Sequence, residues 1–226
     1  MSDEIAPRVL SVRRAIQAAL SRAQDPGREV TIVAVTKTRP AALVDAVAAA
    51  GILDIGESRV QETAQKAPSV RAPVRWHLVG HLQRNKARRA ATLFSVIHSV
   101  DSLELLDALG ATGQPLQVFL EINVAADPAK EGATPEEAPQ LLRRALQIGT
   151  LQVIGLMTVP PLGADPRPVF RQLRELRDAL NRTGDGPPLK GLSMGMSDDY
   201  AVAVEEGATH VRIGTALVGA RTPPAR

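Results

Sequence analysis

The sequence predicts a single α/β domain spanning residues 1–226: a closed (β/α)8 barrel of the TIM type with an extra helix at its amino terminus. Three observations predict it. Eight short apolar runs recur along the whole chain. Most are too continuous for half-exposed strands and suit a parallel sheet covered by helices. A helical segment follows each of the first seven, and eight βα units close a barrel. The alternative is an open doubly wound sheet, which seldom needs so many evenly spaced strands.

The elements follow in order. Ile5, Val9, Val12, Ile16 and Leu20 recur at steps of four, three, four and four, which is one apolar helical face, and "DPG" at Asp25–Gly27 closes it. The strands are "VTIVAVT" from Val30, "ILDIG" from Ile52, "RWHLVG" from Arg75 and "FSVIHSV" from Phe94. The other four are "LQVFLEINV" from Leu116, "LQVIGLMTV" from Leu151, "LKGLSMGM" from Leu189 and "HVRIG" from His210. Helix starts are marked between them. Thr134 with Pro135 and Glu137 reads as an N-cap, a proline at the first helical position and a capping box. Asp165–Pro166 starts a helix with Phe170, Leu173, Leu176 and Leu180 on its apolar face. Asp101 with Glu104 starts another that ends at Gly110, and Ser197 with Asp198 and Asp199 starts one that ends at Gly207. The last strand is followed only by "TALVGARTPPAR", too short for a full final helix. The amino-terminal helix is expected to cover that gap.

Composition narrows the chemistry. Of 226 residues 44% are hydrophobic but only 2% aromatic, so Ala, Val, Leu and Ile must build the core. With no cysteine, disulfides, thiolate metal sites and cysteine nucleophiles are excluded, and a reducing compartment is the natural setting. The first twenty residues lack the apolar core of a signal peptide, and no run is long enough to span a membrane. A cytoplasmic protein is expected. A net charge of +3, dispersed along the chain, favours anionic ligands slightly and does not argue for nucleic acid.

Function in such a barrel sits at the carboxyl ends of the strands. There lie Lys37, "GESR" at Gly56–Arg59, "GHLQRNK" at Gly80–Lys86, "HSVDS" at His98–Ser102 and "EINVAADPAKEG" at Glu121–Gly132. "LMTVPP" at Leu156–Pro161, "SMGMSDD" at Ser193–Asp199 and "RIGTA" at Arg212–Ala216 complete the rim. Strand interiors are expected to be apolar. Lys37 ends a run that reads as a buried strand. Burial lowers a lysine's pKa and frees its amine to attack a carbonyl, which is Schiff-base chemistry with a sugar or with pyridoxal phosphate. A lysine here equally reaches solvent or pairs with a carboxylate such as Glu57, and position alone does not choose. The far end of the chain does. Ser197 before a helix start, with Gly214 and Thr215 after the last strand, makes a phosphate cradle where barrels often place one. A phosphate site opposite a lysine suits pyridoxal phosphate (PLP), whose aldehyde and phosphate lie on opposite sides of one ring.

Seven segments then carry a resemblance: "VAVTKTRP", "GESRVQE", "WHLVGHLQRNK", "HSVDS", "GLMTVPP", "LSMGMSDDY" and "HVRIGTALVGAR". In this order they resemble the pyridoxal phosphate homeostasis protein family, relatives of the amino-terminal barrel of alanine racemase. The resemblance implies that Lys37 carries the cofactor as an aldimine. It implies that Ser197, Gly214 and Thr215 hold the phosphate and that Arg212 faces the pyridine nitrogen. It departs at Ser58, near the cofactor, where the family usually has asparagine; serine is shorter and lacks the amide. Glu131 stands where a small residue is common. Met157, Met194 and Met196 line the ring pocket or belong to the core.

The function expected is reversible holding of PLP for intracellular homeostasis, by storage and delivery, without robust catalysis. An arginine cannot give up its proton, so Arg212 keeps the ring nitrogen unprotonated, and a neutral pyridine is a poor electron sink. Racemisation also needs an acid/base group on each face. The racemase takes its second, a tyrosine, from a further domain, whereas this chain ends at Arg226 with Tyr200 alone. The alternatives are a weak PLP-dependent amino-acid racemase and a lysine aldolase acting on a sugar phosphate. PLP-dependent apo-enzymes are the expected partners, with no nucleic acid and no membrane, and a monomer is the expected state. No metal is expected: His77 and His81 sit four apart across a strand end and a loop. "RNKARR" at Arg84–Arg89 reads as a solvated helix face because no aromatics accompany it. Lys130 reads as a loop lysine rather than a second amine acceptor.

Overall fold

Residues 4–219 are described by the structure, a computed structural model. Helix α1 (Ile5–Leu20) comes first. Then strands and helices alternate: β1 (Thr31–Val35), α2 (Ala41–Ala49), β2 (Asp54–Glu57), α3 (Val60–Lys66), β3 (Arg75–Leu78), α4 (Ala87–Leu93), β4 (Val96–Val100), α5 (Leu103–Gly110). The second half continues with β5 (Leu116–Glu121), α6 (Ala138–Leu146), β6 (Leu151–Met157), α7 (Pro166–Thr183), β7 (Gly191–Ser193), α8 (Tyr200–Glu205), β8 (His210–Ile213) and α9 (Thr215–Val218). The strands pair in sequence order, all parallel, and β1 pairs with β8 to close the barrel.

The expected architecture is therefore present, and so is the device at its seam. α9 is one turn long, and α1 packs across α8 and α9. All five residues of the predicted stripe, Ile5, Val9, Val12, Ile16 and Leu20, are buried there. Residues 220–226, which hold the end of "TALVGARTPPAR", lie outside the described residues, as do 1–3.

Some boundaries move. α6 starts at Ala138, with Pro139 in its first turn, where a missing N–H costs no helical hydrogen bond. Thr134–Glu137 is a turn, in which the Glu137 carboxylate accepts the Thr134 N–H at 2.8 Å. Ser102 rather than Asp101 precedes α5, and α8 starts at Tyr200, three residues later than expected. Asp165 caps α7 as predicted, accepting the Arg167 N–H at 3.1 Å beside Pro166.

Two layers of core follow from the alternation of strand side chains. Ile55, Leu78, Ile97, Leu120, Leu156 and Ile213 belong to the large cluster that includes the buried faces of the helices. A separate small cluster contains Val96, Phe119 and Met157. Around it the expectation of an apolar strand interior fails. His77, His98, Ser193 and Arg212 are all buried, and His98 stacks on Phe119 with ring centroids 4.6 Å apart. The barrel interior is part hydrocarbon and part hydrogen-bond network.

Phe119 fits because Gly155 and Gly191 are register partners on β6 and β7. A Cβ on Gly191 would lie 2.7 Å from the Phe119 ring, and one on Gly155 would collide with the Gly191 carbonyl oxygen. Neither obstacle can swing aside. Gly155→Ala is expected to cost about 2–3 kcal/mol or more in chemical denaturation; an unchanged midpoint would refute this account of the β6–β7 contact.

Candidate functional site

The carboxyl ends of the strands gather the predicted residues on one face of the barrel. Lys37 lies two residues beyond β1 and is exposed, so the sequence-based picture of a buried lysine is corrected. The strand stops at Val35 and Lys37 belongs to the loop above it. Its amine makes no hydrogen bond or ion pair among the described residues. Glu57, the carboxylate weighed as its partner, pairs with Lys66 instead at 2.6 Å.

The backbone around Lys37 is tightly held. The Thr36 hydroxyl donates to Glu57 Oε1 at 2.7 Å, and the Thr36 carbonyl accepts from Lys66 Nζ at 2.9 Å. On the other side the Thr38 N–H donates to Glu62 Oε1, and Glu62 also accepts from Lys66 Nζ at 3.0 Å. Thr38 has φ of 63°, a left-handed conformation that a β-branched residue seldom adopts.

Arg212 lies one residue before the end of β8, is only 4% exposed and pairs with no carboxylate among the described residues. Its NH1 donates to the Ser193 carbonyl at 2.7 Å and the Ser193 hydroxyl at 2.6 Å, and NH2 donates to the Thr158 carbonyl at 2.9 Å. That leaves its Nε–H and one NH2 hydrogen without an acceptor among the described residues. Burial lowers its pKa to about 10, against the pull of the Glu121 and Asp199 carboxylates, so it stays a cation at neutral pH.

Ser197, Gly214 and Thr215 do come together. The Ser197 hydroxyl accepts the Ala216 N–H at 3.2 Å, tying the β7 loop to the start of α9. The first residues of a helix have N–H groups with no partner inside it; that of Ala216 goes to Ser197. A Cβ built on Gly214 would meet only Val35, at an ordinary contact distance of 3.7 Å, so nothing crowds the backbone there. Unspent donors on Arg212 and an uncrowded backbone at Gly214 fit a planar heterocycle carrying a phosphate. Met157 is 1% exposed beside Phe119, Met194 is in the outer core, and Met196 is exposed. Ser58 is half-buried and so close to Gly80 that a Cβ there would lie 2.6 Å from its carbonyl oxygen.

Sequence reasoning missed a buried chain of hydrogen bonds beneath Arg212. The Ser193 Oγ lies 2.7 Å from His98 Nδ1, His98 Nε2 lies 2.9 Å from His77 Nδ1, and His77 Nε2 lies 2.8 Å from Asp54 Oδ1. Because the ionised Asp54 carboxylate can only accept and both rings are neutral, the direction is fixed along the chain and the serine hydroxyl gives its hydrogen to His98. Each imidazole then donates from Nε2, and the chain runs one way to Asp54. Burial holds His98 well below its ordinary pKa and His77 below it. His210, packed edge-on against Phe119, is lowered to about 4 by burial and the neighbouring His77. The carboxylate of Glu121, at the end of β5, makes no hydrogen bond among the described residues. Burial raises its pKa to about 7 against the pull of Arg212, with Asp101 and Glu131 adding to the rise. A signal for these interior groups was available: polar or glycine residues alternate at Asp54, Gly56 and Ser58, and again at His210, Arg212 and Gly214.

Other candidates separate. His77 is inside the barrel while His81 is exposed at the rim, 3.6 Å from Asp101 and 3.9 Å from Glu131. Arg84, Arg88 and Arg89 are exposed, and Lys130 is half-buried in a turn. Among the described residues no helix is long and apolar enough to cross a membrane.

Fold and site together define a class, the parallel barrels of the alanine racemase type with a lysine after the first strand. Residues 11–222 match the model of the alanine racemase N-terminal domain family. The chain is 42% identical to the pyridoxal phosphate homeostasis protein of Pseudomonas aeruginosa, over 98% of this chain and 96% of that one. It is 38% identical to the protein of that name from Aquifex aeolicus, over 95% and 97%. PipY of Synechococcus elongatus, solved with PLP bound, superposes with a TM-score of 0.84 at 37% identity, covering 95% of this chain and all (100%) of that one. Alanine racemase from Corynebacterium glutamicum shares the fold at 17% identity, with a TM-score of 0.73, 64% of its chain being covered. This chain belongs to the pyridoxal phosphate homeostasis protein family.

Proposed function

We propose that this chain binds PLP at the barrel mouth, holds it reversibly on Lys37, and serves intracellular PLP homeostasis by storing the cofactor and delivering it to PLP-dependent apo-enzymes. Buried, cationic Arg212 carries the reading, because its unspent N–H groups suit the lone pair of a pyridine nitrogen. The cofactor supplies an aldehyde that condenses with a primary amine. Lys37 is the amine, on a loop whose neighbouring residues are fixed. Ser197, Gly214 and Thr215 bind the phosphate, and Met157 borders the ring. Ser58 contributes no amide to the site. The protein acts as a cytoplasmic monomer.

Arg212 remains a donor throughout, so the ring nitrogen stays unprotonated and carbanion chemistry is poorly supported. Tyr200, the only tyrosine, packs against the core at the start of α8. Both points favour a carrier over a racemase. Purified protein is expected to take up PLP with a visible absorption band, and borohydride reduction should fix the cofactor to the peptide containing Lys37. Lys37→Ala should show neither. Protein that stays colourless in excess PLP, or label on another lysine, would overturn the proposal. Robust alanine racemisation lost in Lys37→Ala would replace the carrier reading with the enzymatic one.

A further inference from the structure

Lys66 is buried, and its ammonium gives hydrogen bonds to three acceptors: the Thr36 carbonyl at 2.9 Å, Glu57 Oε1 at 2.6 Å and Glu62 Oε1 at 3.0 Å. An ammonium has three hydrogens, so all are committed. All three bonds tie Lys66 to the residues on either side of Lys37: to Thr36 directly and through Glu57, which accepts the Thr36 hydroxyl, and to Thr38 through Glu62, which accepts the Thr38 N–H. Thr38 is held with φ of 63°, where a β-branched side chain meets steric resistance. Strained backbone persists where surrounding structure over-determines it, often beside a functional group. Here the over-determining structure is an ion network rooted in β2 and α3, and the residue it brackets is the exposed, unpaired Lys37.

We propose that Lys66, Glu57 and Glu62 are positioning residues that clamp the backbone on both sides of Lys37 and so aim its amine at the mouth. The inference deepens the reading of Lys37 as the PLP anchor and rests on it. It also explains selectivity between two neighbouring amines. Lys66 is buried, ion-paired and fully bonded, so it is withheld from aldehydes. Lys37 is free to react, and the clamp removes the loop motions that would let it swing away. Among the described residues no hydrogen bond or ion pair joins the side chains of this network to Gly214 or to the guanidinium of Arg212, so loosening the clamp is expected to leave the rest of the binding surface in place.

The experiment uses the full chain and two readouts. In cofactor-free protein, hydrogen exchange of the Thr38 amide should quicken at least roughly tenfold in Glu62→Ala, while the β1 amides stay protected. In PLP titrations followed by visible absorbance, Glu62→Ala should bind roughly tenfold more weakly. Glu62→Gln, which keeps an oxygen for Thr38, should recover most of the affinity. Thr38→Gly adopts the same φ without strain but frees the loop; it should match wild type in thermal stability and still bind PLP more weakly. Glu62→Ala with wild-type affinity, or with an unchanged Thr38 exchange rate, overturns the clamp. Equal losses in Glu62→Ala and Glu62→Gln would also overturn it, by pointing to charge instead of the hydrogen bond. A wild-type protein that takes up no PLP would sink the PLP reading alone, because the exchange measurement judges the clamp without cofactor.

Discussion

Lowering the pH from 6.5 towards 4 is expected to lower the melting temperature steadily, because His77, His98 and His210 are neutral inside the barrel. All three have folded pKa values below the ordinary one, with burial the largest cause. In the unfolded chain they bind protons from about pH 6.5 downward. The unfolded state then holds more protons than the folded state, so stability falls with pH. It is fully present above 6.5 and, for His210, is lost down to about 4. That one histidine is worth about 3 kcal/mol over the window.

Glu121 works in the opposite direction. Its pKa rises from 4.5 to about 7 on folding, so its contribution is complete below 4.5 and is lost as pH rises through 7. It offsets roughly one histidine; Glu57, Asp101 and Asp199, also raised by burial, act in the same direction as Glu121, while His77 and His98 add to the acid loss. Glu121→Gln separates the two effects. It should raise stability at about pH 8, where the buried carboxylate is charged, and steepen the acid loss by removing the offset. Thermal melts of wild type and variant across the range decide it. A flat profile in both would refute the neutral interior.

Lys66→Met is the second variant with a large expected effect, a loss of about 3–5 kcal/mol. Lys66 is 7% exposed in its side chain and Glu57 is fully buried at 0%. Removing the ammonium leaves Glu57 charged in a dry site, with its Oε2 already lacking a partner. Glu62 is more exposed, at 23%, and suffers less. Replacing Glu57 as well, in Lys66→Met with Glu57→Met, should recover a large part of the loss, because two packed apolar chains leave no orphaned charge. Urea denaturation of the single and double variants tests this. A double variant no more stable than Lys66→Met would place the cost in packing or at Thr36 instead.

Much of the fold was legible because each signal was local. Apolar runs, the Asp165 cap and the α1 stripe each needed only a short window of sequence. The rule that function sits at strand ends then placed Lys37, Ser197, Arg212, Gly214 and Thr215 on one rim. What the sequence hid was depth and partnership. When both faces of a strand are buried, periodicity does not separate the barrel interior from the helix-facing side. His77 and His98 therefore read as rim or strand residues, although they form the floor under Arg212. Lys37 read as buried because the apolar run before it looked longer than β1 is. Glu62 and Lys66 are an ordinary helical pair by spacing. Their shared hold on Glu57, Thr36 and Thr38 depends on how α3 folds back over β1, which no local window contains.

The first helix of the barrel has a consequence for how the protein is made. α1 finds most of its cover in α8 and α9, near the other end of the chain, and a smaller part in α2. A ribosome adds roughly 5–20 residues each second, so about 10–40 seconds separate the emergence of this apolar stripe from that of its partners. During that time the apolar stripe of α1 lacks most of its native cover. The seam of the barrel therefore closes only after nearly the whole chain has emerged, and a chaperone that shields one short amphipathic helix would protect the interval before it.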